Sequence, residues 1–281
     1  MKNHLFTKTS LCLLLCLLMA GGCCINIGSC ALRAEHRRTV HLSEPLSPGS
    51  GFETQTHNGY IIITGADVTD CNITAEIIAR AMTDEDAMEL AEQTNVVFER
   101  GMNKLTAKID KPTNMFNRSV GANLKITVPN KTNLELTTHN GRVEITNITG
   151  NLDGTTHNGK MIVENVLGDI ELYTHNGHIS CREISGSTKL KTHNGGIDVY
   201  YSENAPPVCD ISMITHNGGI ELKSPPNFSA EVNASTHNGS INTDLPITVK
   251  GKVSKRRLTG TIGAGEGKLH LETHNGSIRI R

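Results

Sequence analysis

The sequence predicts an all-β chain wound as a single-stranded β-solenoid, a parallel β-helix-like stack of 18-residue coils, with one helix and one hairpin inserted in its N-terminal part. Three observations predict it. The first is the motif Thr-His-Asn-Gly, which occurs eight times, at 56–59, 138–141, 156–159, 174–177, 192–195, 215–218, 236–239 and 273–276. The motifs that start at 138, 156, 174 and 192 are 18 residues apart, and a fixed short period is the signature of stacked supersecondary units. The second is alternation. Residues two after the motif glycine are all apolar, as Ile61, Val143, Met161, Ile179, Ile197, Ile220, Ile241 and Ile278. The residues between the apolar positions are mostly polar, such as Glu144, Ser180, Asp198 and Glu221, which is the pattern of strands with one buried face. The third is a second corner, marked by Gly150, Gly168 and Gly186. The spacing stretches to 23 and then 21 residues after the motif at 192, and prolines occupy that same corner. Insertions confined to one corner fit a solenoid.

Taken in order, residues 1–22 read as an export signal, with Lys2 and Lys8 before a short apolar core at 11–20. That core is too short to span a bilayer. Ala20-Gly21-Gly22-Cys23 is similar to a bacterial lipobox, in which the Cys is lipidated. Such signals usually carry Leu where this chain has Ala20, and plain secretion is the other reading. Residues 23–36 read as a tether. Within the N-terminal part, 37–130, the period fails except at 56–59. Residues 71–79 read as a strand. Thr83-Asp84-Glu85-Asp86 opens a helix over 84–93 with a capping-box pattern. Strands at 96–99 and 105–109 flank Gly101-Met102-Asn103 as a hairpin, and 124–129 is a further strand. A separate domain is the alternative reading of this part. Solenoid repeats fill 131–281. The 37 residues from Gly239 to Gly276 are close to two periods, which predicts one coil that has lost its motif around Leu258 to Gly265.

Parity assigns the motif residues. If Leu136 points inward, so do Thr138 and Asn140, and His139 points outward. Asn-Gly is also a turn pair, because both residues tolerate positive φ. Asn140, Asn158, Asn176, Asn194, Asn217 and Asn238 are therefore predicted to form a structural ladder, bonded along the stack. The outward His139, His157, His175, His193, His216 and His237 would stand about 4.8 Å apart. Two neighbours could tilt toward one Zn²⁺ or Cu²⁺ at about 2.0–2.1 Å from each nitrogen, giving open two-ligand sites. The competing reading is an exposed turn residue copied with its repeat.

Composition narrows the classes. There is no Trp and aromatics are 3% of the chain, which argues against aromatic carbohydrate platforms and base stacking. Lys+Arg 27 against Asp+Glu 28 leaves no basic footprint for nucleic acid. Cys71, Cys181 and Cys209 fall on inward positions, where a free thiol acts as a small hydrophobe, while Cys24 and Cys30 could pair in the tether. Glu144, Glu171, Asp198 and Glu221 are scattered singly among coils, so no catalytic set is gathered and no cofactor is implied.

The Thr-x-Asn-Gly-x-Ile-x-Val repeat, the lipobox-like start and the Leu258-Thr-Gly-Thr-Ile-Gly-Ala-Gly265 stretch resemble the bacterial β-strand-repeat family of unknown function often labelled "putative adhesin". The resemblance covers roughly 37–281. It implies an envelope-associated β-solenoid without enzymatic activity. The chain departs from that family by holding His in all eight motifs. The reading is a non-enzymatic envelope lipoprotein, an adhesin-like rod held to a membrane by its lipid and binding an extended envelope or surface ligand. The outer membrane is preferred, with a secreted or periplasmic location as the alternative. A periplasmic metal- or pH-responsive protein using the His column is the second reading, and a polysaccharide-active β-helix enzyme the third.

Overall fold

The computed structural model describes residues 34–249 and 254–281. The export signal, the lipidation candidate Cys23, the pair Cys24 and Cys30, and the tether up to residue 33 lie outside the described residues. The N-terminal part contributes β1 (Ala34–Pro45), β2 (Gly51–Asn58), β3 (Ile61–Ala66), β4 (Asp70–Ala81), α1 (Asp84–Gln93), β5 (Asn95–Arg100), β6 (Lys104–Asp110) and β7 (Ser119–Pro129). The regular coils follow as β8 (Asn133–Asn140), β9 (Val143–Thr149), β10 (Leu152–Asn158), β11 (Met161–Leu167), β12 (Ile170–Asn176), β13 (Ile179–Ser185), β14 (Thr188–Asn194) and β15 (Ile197–Tyr201). Less regular ones are β16 (Ile211–Asn217), β17 (Ile220–Lys223), β18 (Ala230–Asn238) and β19 (Ile241–Thr243). The chain closes with β20 (Thr248–Val249), β21 (Arg257–Ile262), β22 (Gly267–Asn275) and β23 (Ile278–Ile280).

The fold is all-β and solenoid-like, with two facing, mainly parallel sheets. Each motif ends a strand of a 12-stranded sheet, called here the motif sheet, ordered β20-β21-β18-β22-β16-β14-β12-β10-β8-β2-β6-β5. The chain then bends at the motif glycine and enters the second, 11-stranded sheet, ordered β1-β4-β7-β3-β9-β11-β13-β15-β17-β23-β19. Register follows the repeat: Leu152 lies opposite Leu134 on one side and Ile170 on the other. One core runs between the sheets from Leu46 to Ile280, filled by Ile, Val and Leu with Cys71, Cys181 and Cys209 among them. Narrow coils leave little room for rings, and the two deepest are Phe52 and Tyr201.

Both ends of the stack turn antiparallel. At one end β1, β4 and β7 form an antiparallel set in the second sheet, while β5 and β6 form the antiparallel edge of the motif sheet. Helix α1 lies against β1 and β4 through Ala87, Leu90 and Ala91. Its N-cap Thr83 accepts from the Asp86 amide at 3.2 Å. Long unpaired edges invite association, and a covered, antiparallel end limits that exposure.

Four features differ from the sequence expectation. Strand β1 starts at Ala34, so residues 34–36 belong to a strand rather than the tether. The motif Asn-Gly pair is not a positive-φ turn: among the motif residues only Gly59 has φ in that region, while left-handed residues sit at the second corner, at Asn147, Asn165 and Glu183. The segment around Leu258 is no motif-free coil, because β21 runs antiparallel to β18. Finally, the last two motif coils exchange places. Strand β22 sits between β16 and β18, so the 273 motif lies inside the 236 motif.

Candidate functional site

The motif edge is built from three columns. The threonines are buried, and all but Thr56, which donates to Ala122 O, donate to a glycine carbonyl of the neighbouring rung, as Thr174 Oγ1 does to Gly159 O at 3.2 Å and Thr215 Oγ1 to Gly195 O at 2.7 Å. This bond satisfies a carbonyl at the bend and fixes the threonine rotamer. The asparagines join side chain to side chain. Asn140 donates to Asn58, Asn158 to Asn140, Asn176 to Asn158, Asn194 to Asn176, Asn217 to Asn194, Asn275 to Asn217 and Asn238 to Asn275, all at 2.7–2.9 Å. Parity had put Asn140 inward. It is exposed, because the strand ends there and the bend at Gly141 turns the side chain to solvent.

The histidines form the third column. In spatial order they are His57, His139, His157, His175, His193, His216, His274 and His237, with neighbouring ring centroids 4.5–5.0 Å apart. The rings from His157 onward are stacked, with interplanar angles of 1–23°. His139 and His157 instead meet edge-on at 77°, and His57 and His139 at 58°. Partial burial, then the neighbouring His139 and Lys111, hold His57 below the usual imidazole value. Among the described residues, no group of three or more His, Cys, Asp or Glu is arranged to hold a metal ion.

A groove of about 700 Å³ runs along the other edge of the motif sheet, at the start of the same strands. Phe52, Leu134, Leu152, Ile170 and Ile211 line it together with Lys104, Glu135, Asp153, Glu171, Lys189 and Ser212. Glu135, Asp153, Glu171 and Lys189 lie on successive rungs. Lys104 pairs with Glu53 at 2.6 Å and Glu135 at 2.7 Å, and Lys189 pairs with Glu171 at 2.5 Å. Asp153 stands between two acidic rungs. Burial, then Glu171 and Glu135, push its carboxyl above the usual range.

A further ladder borders this groove, and sequence reasoning missed it. Asn133 Oδ1 accepts from the Asn151 amide at 2.9 Å, Asn151 from Asp169 at 3.2 Å, Asp169 from Ser187 at 3.0 Å, and Asp210 from Lys268 at 3.0 Å. A signal existed, because Asn133, Asn151, Asp169, Ser187 and Asp210 each lie five residues ahead of a motif threonine. The separate carboxylates are less scattered than expected. Asp198 and Glu221 occupy adjacent rungs of the second sheet, but Asp198 pairs with His178 at 3.0 Å and Glu221 with Arg281 at 3.2 Å. Glu144 pairs with Arg142 at 3.2 Å on the same open face. None of these three lines the groove.

Among the described residues, no helix is long and apolar enough to cross a membrane. Several solved structures are similar. A "putative cell adhesion protein" from Clostridium sporogenes ATCC 15579 aligns at 12% identity over 86% of this chain and 99% of that one, with a TM-score of 0.42. A "putative adhesin" from Bacteroides fragilis NCTC 9343 aligns at 12% identity over 87% and 97%, with a TM-score of 0.40. A "putative lipid binding protein" from Parabacteroides distasonis ATCC 8503 aligns at 12% identity over 89% and 97%, with a TM-score of 0.31. No curated protein matches the chain. Residues 91–281, more than half of the chain and most of the repeat, match the family described as Toastrack DUF4097, and the protein belongs to that family.

Proposed function

We propose that the protein is a non-enzymatic, envelope-associated binding rod. In this reading it is a single-stranded β-solenoid with 18-residue coils, carried to the envelope by the signal at 1–22 and tethered through a lipid on Cys23. The observation that carries the binding role is the groove along the motif sheet. It crosses successive rungs with a mixed-charge wall, from Lys104 past Asp153 to Lys189. Repeat surfaces of this kind suit extended partners, because successive rungs present their side chains at a fixed step. The carboxylates of the second sheet are committed to ion pairs on an open face, which gives acid–base catalysis no enclosed pair to work with.

The test compares binding of the soluble rod to purified envelope polysaccharide fractions. Ser212→Trp fills the groove, and Lys189→Glu reverses a wall charge. Both are expected to abolish binding, whereas Lys223→Glu on the second sheet leaves it intact. Equal binding by all three variants, or no binding by the unaltered rod, overturns the groove as the binding surface. The anchor is tested separately: Cys23→Ser is expected to release the protein from membranes, and unchanged fractionation overturns lipidation.

A further inference from the structure

The histidine column carries a more specific inference, independent of the groove at the opposite edge. We propose that His139 and His157 form a binding site for a divalent transition cation, Zn²⁺ or Cu²⁺, held by one nitrogen from each imidazole with water completing the coordination.

The first support is what the column leaves unused. His41 contacts Thr74 at 3.1 Å, His178 pairs with Asp198 at 3.0 Å, and His270 approaches Glu272 at 3.6 Å. None of the eight motif histidines makes a hydrogen bond or ion pair to a protein group; their rings contact one another. The Nδ1 of His175 is even buried without a partner. A repeated imidazole with free nitrogens is a donor set for something external.

The second support is orientation, and it selects the pair. A metal binds an imidazole nitrogen in the plane of the ring at about 2.0–2.1 Å. Two rings stacked in parallel have planes that never meet between them, so one ion cannot satisfy both. That describes His157–His175 at 1° and His237–His274 at 6°. His139 and His157, with centroids 4.7 Å apart, cross at 77°, and His57 and His139 cross at 58°. In these pairs, unlike the stacked ones, the ring planes share a line along which one ion can lie in the plane of both. Lys111 acts on His57 and leaves His139–His157 as the pair.

The surroundings permit a cation. Thr137 and Thr155, two residues earlier on the same strands, are uncharged. In the column, His57 and His175 flank the pair. Lys111 acts on His57, one rung away, and Arg142 across the bend is paired with Glu144. The core thiols do not compete, because burial pushes Cys71 and Cys181 up to about 12 and Cys209 to about 11. With no third ligand arranged nearby among the described residues, the site is open on its solvent side.

Calorimetric titration with Zn²⁺ alone and Cu²⁺ alone tests the site. It uses the full chain with Cys12, Cys16, Cys23, Cys24 and Cys30 replaced by Ser, so that imidazoles are the available soft ligands. Saturable binding is expected at about pH 7.5 and weaker at about pH 5, because metal binding to imidazole competes with protons. H139S/H157S is expected to weaken it by about tenfold or more, while H193S/H216S, in the stacked part, leaves it unchanged. Cu²⁺ electron paramagnetic resonance of the His-intact chain should show coupling to two nitrogens. No saturable heat at the higher pH, undiminished affinity at the lower pH, undiminished binding in a folded H139S/H157S chain, or fewer than two coupled nitrogens each overturns the proposal. The resonance measurement decides even if the double variant fails to fold.

Discussion

At Gly177 a Cβ would stand 1.9 Å from the carbonyl oxygen of Gly159, and the same clash recurs down the column, as at Gly159 against Gly141 at 1.8 Å. The glycine is therefore required by the close approach of successive rungs and not by its φ. Gly177→Ala must push the two bends apart, at a cost of about 3 kcal/mol or more. Asn176→Ala removes two ladder bonds, to Asn158 and from Asn194. Water replaces them at that exposed edge, so the expected cost is about 0.5–1.5 kcal/mol. Denaturant unfolding of the two variants checks the order, and an Asn176→Ala cost at or above that of Gly177→Ala refutes it. The motif spacing made the Asn column visible in the sequence. Its exposure was not visible, because strand parity holds only while the strand continues, and this one bends at the next residue.

The inserted helix shows a different balance of local and tertiary signals. Thr83 followed by Asp84, Glu85 and Asp86 puts a cap and three acids at the positive end of α1, which is a local signal written in sequence. Thr83→Ala removes the acceptor for the Asp86 amide and should cost about 1 kcal/mol. Hydrogen exchange should register this as faster opening of α1, with β8 to β14 unaffected, since α1 touches β1 and β4 at the end of the stack. Uniform acceleration across the coils would mean that the cap and the coils unfold together. The hairpin of β5 and β6 was legible for the same local reason. The pairing of β6 alongside β2 was not, because Phe52 meeting Leu105 across the motif sheet is a long-range contact with no local mark.

The order of the last coils is decided at the scale of the whole molecule. Sequence order would stack β18 directly on β16, and both β18 and β22 carry the motif. The structure places β22 there instead, with Leu269 opposite Ile211 and Leu271 opposite Met213. Strand β18 offers Val232 and Ala234 at the corresponding positions. In the inner slot those smaller side chains would leave voids beside Ile211 and Met213, and a missing leucine side chain in a core costs about 2–5 kcal/mol. Next to the antiparallel cap, Val232 meets Gly260 and Ala234 meets Leu258, so small residues fit that place. The period alone could not reveal this exchange, because the motif fixes register but leaves neighbour choice to core volume. Removing residues 266–281 tests it. Solenoid stability is a sum of neighbouring interfaces, so β8 to β14 should keep their amide protection while β18 and β21 lose theirs. Retained protection in β18 would show that it docks on β16 unaided, and that the motif edge, rather than side-chain volume, selects the neighbour.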